Sequence, residues 1–314
     1  MITSNENTRL WMAPLHGVTV SRFRNVFFRH FGGIDEVMAP FLPVVDAPTV
    51  RARQWKDILP QNNENQKITP QLMGNDPDQF VNTLHILADM GFTAANWNIG
   101  CPMQQIVRKI RGCGLMPHPD SVEQVVEAVC SRTTTRFSLK MRLGLRSPQE
   151  GLALLRRLEP YPLDFIVIHP RLGVQQYDGQ PAWDAFDAML AVTKHEVVYS
   201  GDVWSVADYQ RLQQRYPTIR QWMLGRGLLQ NPFLAEQIKS SEEIVDKQRF
   251  SAFYVDLLDS WHASGLTDKG ILNSLKELWH YFAAFCQLPD TQLQQLLRED
   301  NLAVFEQKSR DAIL

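Results

Sequence analysis

Cysteine is scarce in this chain, with four among 314 residues: Cys101, Cys113, Cys130 and Cys286. Their number and spacing supply neither a disulfide framework nor paired metal ligands, so a reducing compartment fits and no structural zinc or other metal is expected. Long apolar runs are also missing. The longest uncharged one, near Leu278 to Leu288, is too short to cross a bilayer, so no membrane association is expected. The opening Met1–Thr8 has neither a basic start nor an apolar core, so no signal peptide is expected and a cytoplasmic location follows as the default. A large net charge is absent: 32 Lys and Arg oppose 34 Asp and Glu, and the net of −2 does not advertise a nucleic-acid partner. No Gly-x-Gly-x-x-Gly follows Pro14, which weighs against a doubly wound dinucleotide-binding sheet. Low-complexity segments are lacking too, and nothing in the chain implies a protein partner.

What is present is an ordinary globular composition, 44% apolar and 21% charged, long enough for one large α/β barrel and a small appendage. Short apolar runs recur at Leu10–Pro14, Glu36–Phe41, Ile68–Met73, Ala94–Asn98, Phe137–Met141, Asp164–His169, Val197–Gly201 and Gln221–Gly225. Between the ends of the first and last, Leu15 and Gly225, seven steps cover 210 residues, about 30 each, the length of one strand–helix unit. Eight such units close a (β/α)8 TIM barrel, an α/β fold. Asp76-Pro, Ser147-Pro and Ser205 each place a capping residue before a helical stretch. After about Ala235 the alternation stops. Phe250–His262, Gly270–Gln287, Asp290–Glu299 and Asn301–Ala312 read as helices, with Leu275, Leu278, Trp279, Phe282 and Phe285 as one apolar stripe. The expected organisation is a catalytic barrel over residues 1–235 and a small C-terminal helical domain over residues 236–314.

The near-zero net charge hides an asymmetry. From Gln104 to Arg157 ten basic residues face four acidic ones, whereas from Lys239 onward eight basic face twelve acidic. Any polyanion would therefore meet mainly the middle of the chain, where Arg108, Lys109 and Arg111 follow directly on Cys101.

In barrels of this kind working side chains sit at the C-terminal ends of the strands. Those ends carry Gln71, Asn98 with Cys101, Lys140 with Arg142, His169 with Arg171, Ser200-Gly201-Asp202 and Gly225-Arg226. Gly100 and Pro102 force a turn that exposes Cys101; the competing reading is a thiol packed as a small hydrophobe. The glycines after strands seven and eight admit close backbone approach to a phosphate, Arg226 supplies charge, and a helix over Leu228–Gln237 would add its dipole. Lys140 would stabilise the N1–C2=O edge of a reduced flavin, with Gln71 at the opposite pyrimidine edge.

Seven segments in order then carry a resemblance: Ala13-Pro-Leu-His-Gly-Val-Thr, Pro70-Gln-Leu-Met-Gly, Asn98-Ile-Gly-Cys-Pro, Leu139-Lys-Met-Arg-Leu-Gly, Ile168-His-Pro-Arg with Tyr177-Asp-Gly, Ser200-Gly-Asp and Gly225-Arg-Gly-Leu-Leu-Gln-Asn-Pro. Over roughly Leu10 to Phe233 the chain resembles the tRNA-dihydrouridine synthases, and the helical tail fits an RNA-binding domain. The resemblance implies FMN, reduced by NADPH, that delivers hydride to C6 of a uracil in tRNA while Cys101 protonates C5 from the opposite face. It implies that Pro14, Leu15, His16, Gln71 and Lys140 hold the cofactor together with Ser200, Gly201, Asp202, Gly225 and Arg226. Asn98, Arg142 and Tyr177 would border the uracil, and His169 falls to both ligands. Arg108, Lys109 and Arg111 would meet the RNA. Departures from the family pattern at Val20, Asn96, Ser200, Cys113 and Met116 mark a divergent branch, and Cys113 stands as an alternative reactive thiol. Two other readings remain open: an RNA-binding module on a decayed barrel, and a small-molecule FMN dehydrogenase of the dihydroorotate type.

Overall fold

The computed structural model describes residues 8–46, 55–64 and 66–313. Met1–Asn7, most of the segment read for a signal peptide, lies outside the described residues. Ten strands form one parallel sheet: β1 (Arg9–Met12), β2 (Glu36–Met38), β3 (Leu42–Pro43), β4 (Ile68–Thr69), β5 (Gln71–Met73), β6 (Ala94–Ile99), β7 (Arg136–Gly144), β8 (Ile166–Leu172), β9 (Val197–Ser200) and β10 (Gln221–Leu224). Their order is β3-β5-β6-β7-β8-β9-β10-β1-β2-β4. β2 and β3 flank Pro40, and β4 and β5 flank Pro70, which has no N–H to give to a ladder. Each pair is thus one interrupted strand. Because β4 runs directly into β5 and the two lie at opposite margins of the order, the sheet closes on itself, and the eight expected strands are all found in a (β/α)8 barrel.

Alternation decides which side chains enter the barrel. Trp11, Met38, Phe165, Val167, Val198 and Met223 fill its interior with an apolar plug. The opposite faces of the same strands, such as Leu10, Met12 and Ile168, join the much larger core beneath the helices. Those helices include α1 (Ser21–His30), α2 (Pro77–Asp89), α3 (Pro119–Arg132), α4 (Pro148–Leu158), α5 (Trp183–Val192) and α6 (Val206–Arg215). The capping residues read from the sequence do their work: Asp76, Ser147 and Ser205 accept from the backbone N–H of Gln79, Gln149 and Asp208.

One expected element differs. The helix over Leu228–Gln237 is two short ones, α7 (Arg226–Gln230) and α8 (Leu234–Ser240). Asn231 between them is extended, as a residue before proline prefers, so Pro232 ends the first helix. Gly227 of α7 lies so close to the loop after β9 that a Cβ there would stand 2.0 Å from the Val203 carbonyl oxygen.

The tail is helical throughout: α9 (Lys247–His262), α10 (Asp268–Phe285), α11 (Asp290–Leu297) and α12 (Leu302–Asp311). In the stripe read from the sequence, Leu275, Leu278, Trp279 and Phe282 are buried. Phe253 of α9 meets Phe23, Phe27 and Phe31 of the barrel with ring centroids 5.0–6.3 Å apart. One hydrophobic core runs through barrel and tail. Among the described residues no helix is long and apolar enough to cross a membrane.

Candidate active site

The C-terminal ends of the strands open into a cavity of about 260 Å³. Register brings its polar side chains together. Asn98 of β6 lies beside Lys140 of β7, and Arg142 of β7 beside His169 of β8. From the first strand's loop come Pro14, Leu15 and His16; from those after β9 and β10 come Ser200, Gly201, Asp202, Gly225 and Arg226. Cys101 and Tyr177 complete the set of expected residues on the cavity wall.

Gln71 does not line it. Fully buried beneath the floor, its amide joins a ladder across three strands: Asn96 donates to Ser138 Oγ (2.9 Å), Gln71 to Asn96 Oδ1 (2.8 Å), and Asn98 to Gln71 Oε1 (2.8 Å). Asn98 Oδ1 then accepts from the N–H groups of Gly100 (3.0 Å) and Cys101 (2.9 Å). Gln71, expected at the cofactor, thus stands outside the cavity lining and is linked through Asn98 to the turn that carries Cys101. Asn96, a departure from the family pattern, is the middle rung.

The two neighbouring thiols differ in setting. Cys101 is half-buried on the cavity wall, and burial pushes its thiol above its ordinary value although the Met103 N–H, Arg142 and Lys140 pull the other way. It stays protonated at neutral pH. Cys113 is sealed in the core, donates to the Gly100 carbonyl (3.0 Å) and is pushed up to about 12 by burial. The structure gives Cys101, not Cys113, access to a ligand.

Positive charge dominates the wall. Lys140 has no ion-pair partner among the described residues, and burial with the Arg142 charge lowers it to about 8. Arg142 is nearly buried, donates to the carbonyls of Leu172 (2.9 Å) and Gln176, and lies 5.2 Å from the Tyr177 ring centroid. Arg226 sits between Tyr177 (4.5 Å) and Trp204 (4.8 Å), with Asp202 at 3.4 Å. The Asp202 carboxylate is held by Arg171 as well, so it orients Arg226 rather than facing an anion. Burial and four surrounding cations hold His169 neutral, well below its ordinary value, and its Nδ1 is buried without a partner. Three cations against one neutralised carboxylate, plus an unsatisfied ring nitrogen, suit an anionic, hydrogen-bonding ligand.

Arg108, Lys109 and Arg111 do not enter the cavity. Arg108 and Lys109 are exposed on the loop after Cys101, and the half-buried Arg111 leans toward Asn75 (3.5 Å). Other members of the basic stretch are spent elsewhere: Arg132 pairs with Asp78, Arg136 with Asp164, and Arg157 with Asp120 and Glu123. The sequence reading missed Trp204, Phe41, Met103 and Gln176 as wall residues. Trp204, two positions past the Ser-Gly-Asp motif, was open to notice; Phe41, stacked on His16 at 4.8 Å, follows from packing alone.

Comparison with known proteins places these observations in context. Residues 11–312 match the family described as "Dihydrouridine synthase (Dus)". The chain is similar to a probable tRNA-dihydrouridine synthase of Rhodobacter capsulatus, 29% identical over 88% of this chain and 87% of the relative. It is also similar to a tRNA-dihydrouridine(16) synthase of Pseudomonas putida, 26% identical over 85% and 80%. Among solved structures, the old yellow enzyme of Trypanosoma cruzi shares the barrel fold, with a TM-score of 0.55 and 11% identity over 80% of this chain and 93% of that one.

Proposed function

Since the chain belongs to the dihydrouridine synthase family, whose match spans residues 11–312, we propose that its cavity binds FMN and takes a uridine of tRNA to its mouth. The enzyme is a tRNA-dihydrouridine synthase, an oxidoreductase that saturates the C5–C6 bond of that base. Bound FMN, reduced by NADPH, supplies the hydride that goes to C6. The observation that carries the assignment is the Cys101 thiol on a cavity wall that also brings together Lys140, Arg142, Arg226 and His169.

The protein's own residues supply the rest. Arg226, clamped by Tyr177, Trp204 and Asp202, would hold the phosphate alongside the backbone of Gly201 and Gly225. Pro14, Leu15, His16 and Ser200 would border the ring system, and Lys140 would offset negative charge on it. Asn98 and Arg142 hold the uracil, with His169 Nδ1 free to bond either ligand. Cys101 transfers its Sγ proton to C5 on the face opposite the hydride, and solvent reprotonates the thiolate. A uridine stacked in a helix cannot reach this depth, so the target base leaves its stack.

The test is reduction of unmodified tRNA by the purified enzyme with NADPH, read as dihydrouridine by mass spectrometry. Formation of dihydrouridine, with a yellow protein that bleaches on adding NADPH, is the expected result. Colourless protein that binds tRNA without turnover would instead support the decayed-barrel reading.

A further inference from the structure

The loop from Cys101 to Cys113 breaks two local rules at one residue. After the single helical turn Gln104–Val107 the chain reverses through Ile110 at φ +52°, a left-handed position normally given to glycine or asparagine. A β-branched side chain there is strained by about 1–2 kcal/mol. Packing does not repay it, because Ile110 is 44% exposed. Its neighbours Arg108 and Lys109 are exposed cations without ion-pair partners among the described residues. Such violations beside a site point to function rather than stability.

The tip is also held at a fixed place. The Cys113 N–H donates to the Cys101 carbonyl (2.9 Å), so both ends of the loop are tied at the proton donor. A Cβ on Gly112 would lie 3.0 Å from the Cys101 Cβ, and only Arg111 separates Gly112 from Ile110, so two Cα–Cα steps put the Ile110 Cα within about 12 Å of the thiol-bearing carbon. The side chain is short and stiff about χ1. Tyr177 of the cavity wall is itself 50% exposed.

We propose that Ile110 is a wedge: its side chain enters the RNA stack at the place vacated by the target uridine and holds the base out, while Arg108 and Lys109 grip the flanking phosphates. Apolar side chains inserted between bases offset part of the cost of unstacking, and neighbouring cations add phosphate contacts. The proposal rests on the uridine-reducing activity above, and concerns which residue opens the stack.

The experiment uses the full-length flavoenzyme and unmodified folded tRNA. If the parent makes no dihydrouridine, the activity itself is refuted, whatever Ile110 does. With an active parent, Ile110→Gly and Ile110→Asn, both suited to the left-handed backbone, are expected to lose about tenfold in kcat/KM on folded tRNA, within the range set by one lost base contact. Ile110→Val is expected to restore at least half of the parental value. NADPH oxidation without RNA and thermal midpoint should not fall. Ribose acylation of tRNA bound to Cys101→Ala should reveal an enhanced nucleotide beside the target, and adding Ile110→Gly should suppress it. Parental turnover by the glycine and asparagine variants, or undiminished enhancement in the double variant, would overturn the proposal.

Discussion

Cys101 and Cys113 are joined through one backbone hydrogen bond, yet only the first faces the cavity. Cys101→Ala should keep its flavin and lose turnover on tRNA by ~10²–10⁴-fold, the usual range for a missing general acid. Cys113→Ala removes a buried thiol–carbonyl bond and should instead cost about 1 kcal/mol of stability, with turnover within a few-fold of the parent. Urea unfolding and dihydrouridine yield, measured on both variants, separate the roles. Lys140 adds a pH signature. In the free protein its ammonium is lost as pH rises through about 8, and an anionic ligand favours the ammonium, so flavin affinity should fall above about pH 8. Lys140→Met should bind more weakly at neutral pH and show no such fall; an identical slope in both proteins would remove Lys140 from the cofactor site. These positions were legible because they lie in or just after the C-terminal halves of the strands. Gln71, read as a strand end, is the first residue of β5, and whether a buried amide there faces a ligand or its neighbours depends on rungs supplied by two other strands.

At the scale of elements, the buried amide ladder links three strands of the barrel. Asn96→Ala takes the amide acceptor from Gln71 Nε2 and the donor from Ser138 Oγ, leaving the first only the Met38 sulfur (3.1 Å) and the second its bond to the Ala95 carbonyl (3.3 Å), a loss of about 1–3 kcal/mol in all. Equilibrium unfolding checks this, and turnover should drop as well because Asn98 loses its brace. The loop after Cys101 is the other informative element. Replacing Arg108, Lys109 and Arg111 by Ala should weaken tRNA binding and flatten its dependence on salt by up to about three counterions. Filter binding between low and physiological salt reads both; unchanged slope would exclude the loop from the RNA interface. Eight strands and the capped helices could be read from the sequence because period, proline and cap residues agree there. The break between α7 and α8 is signalled by Asn231-Pro232 and was hidden by continuous apolar spacing on either side.

On the scale of the molecule, the change from alternating to helical sequence near residue 235 is plain, but the packing runs straight across it. Phe253 touches three phenylalanines of α1 and its C-cap, and Phe250 meets Phe282 and Phe285 of α10. Phe253→Ala should therefore cost about 3–5 kcal/mol, and circular dichroism and barrel tryptophan fluorescence should report one shared transition. Two separated transitions would show independent domains.

The closing of the barrel also sets a clock. β1 is built first, but its register partners on one side are Gln221 to Leu224 of β10, and α1 waits for Phe253. At ~5–20 residues per second, a ribosome needs on the order of 10–40 s to deliver those partners. Through that interval the N-terminal strand and the phenylalanine face of α1 stand uncovered, so the nascent chain, rather than the finished enzyme, is the species most in need of a chaperone.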